Sequence, residues 1–149
     1  MIKYFSRLKK NEDGQSMVEF ALVFVFVLIP VLFGIIQFGF IFGGQIVMTG
    51  AAREGARMAI VGEDNELVKE RIDNYISAAP FVSYDKEDSI EIDPEEEDRV
   101  RGEELTVVLD GSVPIIIPFF DFLKDEEGNY SISSSAVMRI EQLVASSED

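Results

Sequence analysis

The sequence predicts an α+β chain: a long N-terminal transmembrane and stalk helix, a short second helix, and a small three-stranded antiparallel sheet. Three observations predict it. From Phe20 to Ile36 there is no charged or polar side chain, and after Gln37 the apolar run resumes from Phe38 to Gly44. A helical spacing of apolar residues then occupies 64–79. Beyond it, three stretches alternate apolar and polar residues with the period of strands.

The first element is set by length. A hydrocarbon core about 30 Å thick needs roughly 20 apolar helical residues, and Phe20 to Gly44 meets that with room for tilt. A buried core helix of a soluble protein is the competing reading, but the rest of the chain is too short and polar to cover every face of such a helix. Pro30 removes an amide donor inside it and predicts a kink. An unbroken helix from Gln15 to near Val61 would be roughly 70 Å long at 1.5 Å per residue, so its second half is expected to project as a stalk. Gly62 is a natural stop.

The second helix begins at Asp64, a capping residue. Leu67, Val68, Ile72, Tyr75, Ile76 and Ala79 follow at helical spacing, and Pro80 ends it. Ser89 to Asp93 alternates around Ile90 and Ile92. Leu105, Val107 and Leu109 alternate with Thr106, Val108 and Asp110 in a second strand, and Ile132, Ser134, Ala136, Met138 and Ile140 form one face of a third, from about Tyr130 to Gln142. Three strands with a helix on one face make a minimal α+β domain. The apolar segment Pro114 to Leu123 is expected to cover the sheet; contact with the membrane or a second subunit is its alternative. The domains are therefore placed at 1–14 (leader), 15–61 (transmembrane and stalk helix) and 62–149 (acidic extracytoplasmic domain).

Charge divides the chain at the same place. The 149 residues carry a net charge of −15, with +2 up to Val61 and −17 from Gly62 onward. So acidic a domain repels nucleic acid, and a nucleic-acid partner is excluded on that ground. Lys3, Arg7, Lys9 and Lys10 precede the apolar run, and basic flanks resist translocation, which places the N-terminus in the cytoplasm and the acidic domain outside. With no Cys and no His, the chain has no thiolate metal site and no Ser-His-Asp or Cys-His arrangement. Catalysis would fall to Asp and Glu, and no spaced carboxylate pair sits in a recognisable motif. The sequence implies no catalytic residue, no metal and no cofactor. Asp93 to Asp98 lacks the spaced oxygen ligands of a calcium loop and reads as a solvated acidic loop.

Two groups of residues carry the functional reading. The first lies where the apolar run begins, Gly14-Gln15-Ser16-Met17-Val18-Glu19-Phe20. A basic leader ends in Gly, and a Glu follows five residues on. An ordinary secretory signal is cut after its apolar stretch; here the candidate cut, between Gly14 and Gln15, precedes it. Glu19 is costly in hydrocarbon and needs compensation, from a partner or from the positive end of the helix dipole at the headgroup boundary. The second group is small residues at four-residue spacing: Gly39 and Gly43, Ala51, Gly55 and Ala59, and Ala52 and Ala56. Such spacing lets a second helix approach closely.

Gly14 to Ala21 resembles the leader junction of type IV pilin-like proteins. Together with Phe33-Gly34-Ile35-Ile36-Gln37-Phe38-Gly39, Ala51-Ala52-Arg53-Glu54-Gly55-Ala56-Arg57 and the closing Ala136 to Glu141, it is similar to the TadE-like pseudopilins of tight-adherence pilus systems. In that family the position of Gln37 is often Glu. The resemblance implies a structural, non-enzymatic component of pilus assembly. It implies a prepilin peptidase that cuts after Gly14, and pairing of Glu19, beside Phe20, with the new amine of Gln15 on a neighbouring pilin or pseudopilin. It also implies residence in the bacterial cytoplasmic membrane or incorporation into an extracellular pilus. The alternative from another class is an uncleaved single-pass anchor carrying a binding or sensing domain.

Overall fold

The computed structural model describes residues 12–86 and 88–141. The basic residues Lys3, Arg7, Lys9 and Lys10 lie outside them. The apolar run is helical throughout: α1 (Glu12–Val23), a π-helical turn (Phe24–Leu28) and α2 (Ile29–Ala59). Pro30 accounts for the turn. It offers no N–H to the carbonyl four residues back and its ring crowds that carbonyl, so the preceding turn widens. Ile29 accordingly donates to the Phe24 carbonyl, five residues back.

The chain divides after Ile36 into two compact units. In the first, every residue from Gly14 to Leu28 is exposed. In the second, α2 from Gln37 onward joins the remaining elements. Its last residues wind into a turn at Gly62, whose φ of 88° is left-handed backbone that glycine adopts without a Cβ clash. There follow α3 (Asn65–Ile76), β1 (Ile90–Asp93), β2 (Glu104–Pro114) and β3 (Asn129–Arg139). Asp64 caps α3, its carboxylate accepting from the Glu66 amide at 2.7 Å.

The sheet is an antiparallel meander in the order β1-β2-β3. Its register pairs Ile90 with Leu109, Ile92 with Val107, Val107 with Ala136 and Leu109 with Ser134. This aligns the buried residues of all three strands on one face. The face packs under α2 and α3: Leu105, Val107, Leu109 and Ile140 meet Met48, Ala51, Ala52, Ala56, Val68, Ile72 and Ile76 in one core. A polar clasp fixes the helix to the sheet edge. Gln45 donates through its amide to the Ser133 carbonyl at 2.9 Å, and Ser134 hydrogen-bonds Thr49 at 3.0 Å. β2 runs to Pro114, past the expected end at Asp110, because Gly111 and Ser112 keep the ladder going and Ser112 also bridges Ser83.

The membrane helix and its polar clamps

Gly14–Ala59 is one helix long and apolar enough to cross a membrane. Exposed along it are Phe20 (70 %), Phe26 (72 %) and Ile35 (65 %). Each such side chain would gain about 1.5–3 kcal/mol on leaving water, so a run of them needs an apolar surrounding. At its start, Gln15 donates through its side chain to the Glu19 carboxylate at 2.9 Å. Gly14 and Gln15 lie within α1, with Glu19 and Phe20 one turn further along the same exposed surface. Phe20 packs on Phe24 with centroids 6.2 Å apart.

Gln37 is only 1 % exposed. Its amide nitrogen donates to the Pro114 carbonyl at 3.2 Å, and its carbonyl oxygen accepts from the Ile116 amide at 3.0 Å. The segment that follows β2 is thus tied to α2 by one side chain that both donates and accepts. A carboxylate at this position could only accept.

The small residues of α2 face their own chain. Ala51, Ala52, Ala56 and Ala59 are wholly buried in the core just described. A Cβ on Gly55 would lie 2.5 Å from Ile72 Cδ1, so the helix packed on Gly55 is α3 of the same molecule rather than one from a second molecule. Gly39 differs: a Cβ there would meet open space, and one on Gly43 would make ordinary contact with Phe81 at 3.4 Å. The tightest approach to the sheet is at Gly44, where a Cβ would lie 2.6 Å from Val113 Cγ2. The four-residue spacing does not contain Gly44.

Three contacts between elements had no signal in the sequence. Glu54, paired with Arg57 on its own helix at 2.9 Å, also binds Arg71 of α3 at 3.1 Å. Arg99, 7 % exposed, donates to the carbonyls of Glu63 (3.1 Å) and Ala59 (3.5 Å) and to the Asn65 side chain, so it caps the end of α2 and the start of α3 together. Burial lowers its pKa from the ordinary guanidinium value, opposed by the nearby Glu96 and Asp64. Tyr84 donates to the Asp73 carboxylate; burial, with that bond, pushes its phenol well above the ordinary value. Among the described residues no group of His, Cys, Asp or Glu is placed to hold a metal ion. Glu96, in the acidic stretch, accepts from the Asn65 amide at 3.2 Å.

A family model described as TadE-like protein matches residues 14–57. That segment is similar to the TadE-like family. The match takes in Gly14 to Phe20, the exposed helix, Gln37 and the buried Ala51, Ala52 and Ala56. It covers less than half of the chain and ends at Arg57. Ala136 to Glu141 lies beyond the TadE-like segment. No curated protein and no solved structure matches the chain.

Proposed function

We propose that this chain is a pilin-like, TadE-type structural component for assembling a tight-adherence pilus. The observation that carries the reading is the coincidence of the TadE-like match with a helix whose first half is exposed and apolar. On this reading the helix crosses the bacterial cytoplasmic membrane once. The leader lies in the cytoplasm and the acidic domain outside, as the basic flank favours. A prepilin peptidase cuts between Gly14 and Gln15. The freed Gln15 amine of one subunit then pairs with Glu19 of its neighbour, a related pilin or pseudopilin, in place of the Gln15 side chain that Glu19 holds in the single chain. The role is scaffolding and not catalysis. Gly39, open on the helix surface, is the small residue left for a neighbouring helix.

One observation favours a second reading, an uncleaved anchor for a binding or sensing domain: the Gly14–Gln15 peptide lies inside α1, and a protease would have to unwind that turn to reach it. The mass of the mature chain separates the two. A first residue of Gln15 supports the pilin-like reading, and an intact Met1 supports the anchor. Replacing Gly14 by a bulky residue is expected to block leader removal. Glu19→Ala or Glu19→Gln is expected to leave leader removal intact and abolish piliation. Normal piliation with Glu19→Ala would count against the pairing.

A further inference from the structure

The apolar segment after β2 does only part of the covering expected of it. Ile115 and Phe120 turn inward and are buried, whereas Ile116, Phe119 and Phe122 are 62, 71 and 77 % exposed. These three belong to one surface with α2. The Phe120 ring stands edge-on to Phe38, with centroids 5.8 Å apart, and lies 5.7 Å from Phe119 and 6.2 Å from Phe122. Phe38 in turn stacks on Phe42, itself 64 % exposed. Gln37 holds the segment in place through the two hydrogen bonds to Pro114 and Ile116.

Three arguments say what covers this surface. The first is continuity along the chain. Phe38 is two residues beyond Ile36, where the run without polar side chains ends, and two residues span at most about 7 Å. Wherever that run meets the headgroups, the aromatic cluster around Phe38 is within reach of the same boundary. The second is length. The span read from the sequence, Phe20 to Gly44, includes residues that are buried against the domain from Gln37 onward; the part before them, Phe20 to Ile36, rises only about 26 Å as a helix against a hydrocarbon core about 30 Å thick, so apolar groups just beyond Ile36 fall at the boundary. The third is charge. Everything from Gly62 onward carries a net −17, so a second copy approaching with its own domain would be repelled, whereas uncharged acyl chains would not.

We infer that Ile116, Phe119 and Phe122 form a membrane foot, seated at the acyl–headgroup boundary of the bilayer that the helix crosses. The inference rests on the membrane-anchored part of the proposed function and is independent of leader cleavage and of pilus assembly. The foot gives the acidic domain a second attachment to the lipid surface besides its covalent link.

The chain has no cysteine, so single-cysteine variants labelled with a polarity-sensitive fluorophore report one position each. The full-length protein is reconstituted in phosphatidylcholine vesicles with iodide on both sides, or with lipids carrying a nitroxide high on the acyl chain. Phe119→Cys and Phe122→Cys are the foot probes, Val27→Cys reports the helix, and Glu91→Cys reports the solvated face of β1. The expected result is that the foot probes lose most of the iodide quenching seen at Glu91→Cys and are quenched by the nitroxide lipid. If iodide reaches the foot probes as readily as Glu91→Cys while Val27→Cys is lipid-quenched, the helix spans the bilayer and the foot is overturned. If the foot probes are shielded from both quenchers and the shielding fades as protein is diluted into more lipid, a second copy covers them and the foot is again overturned. If iodide reaches Val27→Cys, membrane anchoring itself fails, and the foot with it.

Discussion

Gln37 shows how much one side chain can decide. Its carboxamide, itself buried, pairs with the Pro114 carbonyl and the Ile116 amide at once, and a hydrogen bond contributes about 0.5–1.5 kcal/mol. Gln37→Ala removes both bonds and is expected to destabilise the domain by about 1–3 kcal/mol. Gln37→Glu keeps the Ile116 bond but, as a carboxylate, cannot donate to Pro114, and is expected to cost about 1–3 kcal/mol. Denaturant unfolding of the detergent-solubilised chain checks both, and equal stability of all three proteins would contradict the clamp. Gly44 makes the complementary point about space. An added methyl would press on Val113, a β-branched residue with little rotamer freedom. Overpacking of about 1–3 kcal/mol is set against about 1 kcal/mol gained when Ala replaces Gly in a helix. Gly44→Ala is therefore expected to lower stability slightly, whereas Gly39→Ala, with open space around it, is expected to raise it. Neither duty was legible in the sequence: Gln37 read as an interruption of an apolar run, and Gly44 as that run's last residue.

At the same scale, Asp125 gives the domain a pH dependence. Its carboxylate accepts from the Asn129 and Glu127 amides and the Ser131 hydroxyl. These bonds, the Asn129 amide foremost, hold its pKa below the ordinary carboxylate value. A lowered folded value means that the turn is stabilised above the ordinary unfolded value and loses that stabilisation as the pH falls through the folded one. Acid titration followed through the Asn129 amide resonance is expected to show the turn loosening there, and Asp125→Asn is expected to remove that step.

The elements divide sharply in how far the sequence announces them. α3 was legible to within a residue at its start and about three residues at its end, Ile76 rather than Ala79, because its cap and its period lie in the local sequence. Asp64→Ala should cost about 0.5–2 kcal/mol in unfolding free energy through the lost cap, and no loss would remove Asp64 from that role. β1 and β3 were legible from alternation alone, and β2 only to Asp110, because Gly111 and Ser112 break the pattern without breaking the ladder. α2 was legible as a helix but not in its partner. A stripe of Ala and Gly suits an intermolecular helix pair and a helix laid on its own sheet equally well. The choice depends on contacts with residues such as Ile72 and Val113, which lie far along the chain. Arg99 was missed for the same reason. It reads as a surface charge and instead caps two helices some forty residues away.

For the whole molecule, the account is one of two solvents. From Phe20 to Ile36 the first unit presents an apolar helix, and the second gathers most of its apolar residues into a core beneath an acidic surface, with Ile116, Phe119 and Phe122 among those left exposed. On the proposed reading the helix lies in lipid and the domain in water. On the same reading the Lys and Arg of the N-terminal flank resist transfer, which keeps the N-terminus inside and the acidic domain outside. Protease accessibility of the acidic domain in sealed, oriented membrane vesicles tests this most directly. The account predicts that protease added at the outer face degrades the domain and leaves a membrane-embedded fragment containing Phe20 to Ile36, and that protease added at the cytoplasmic face leaves the domain intact. A domain cut only from the cytoplasmic face, or a full-length chain that stays dissolved as a monomer without detergent, would contradict it.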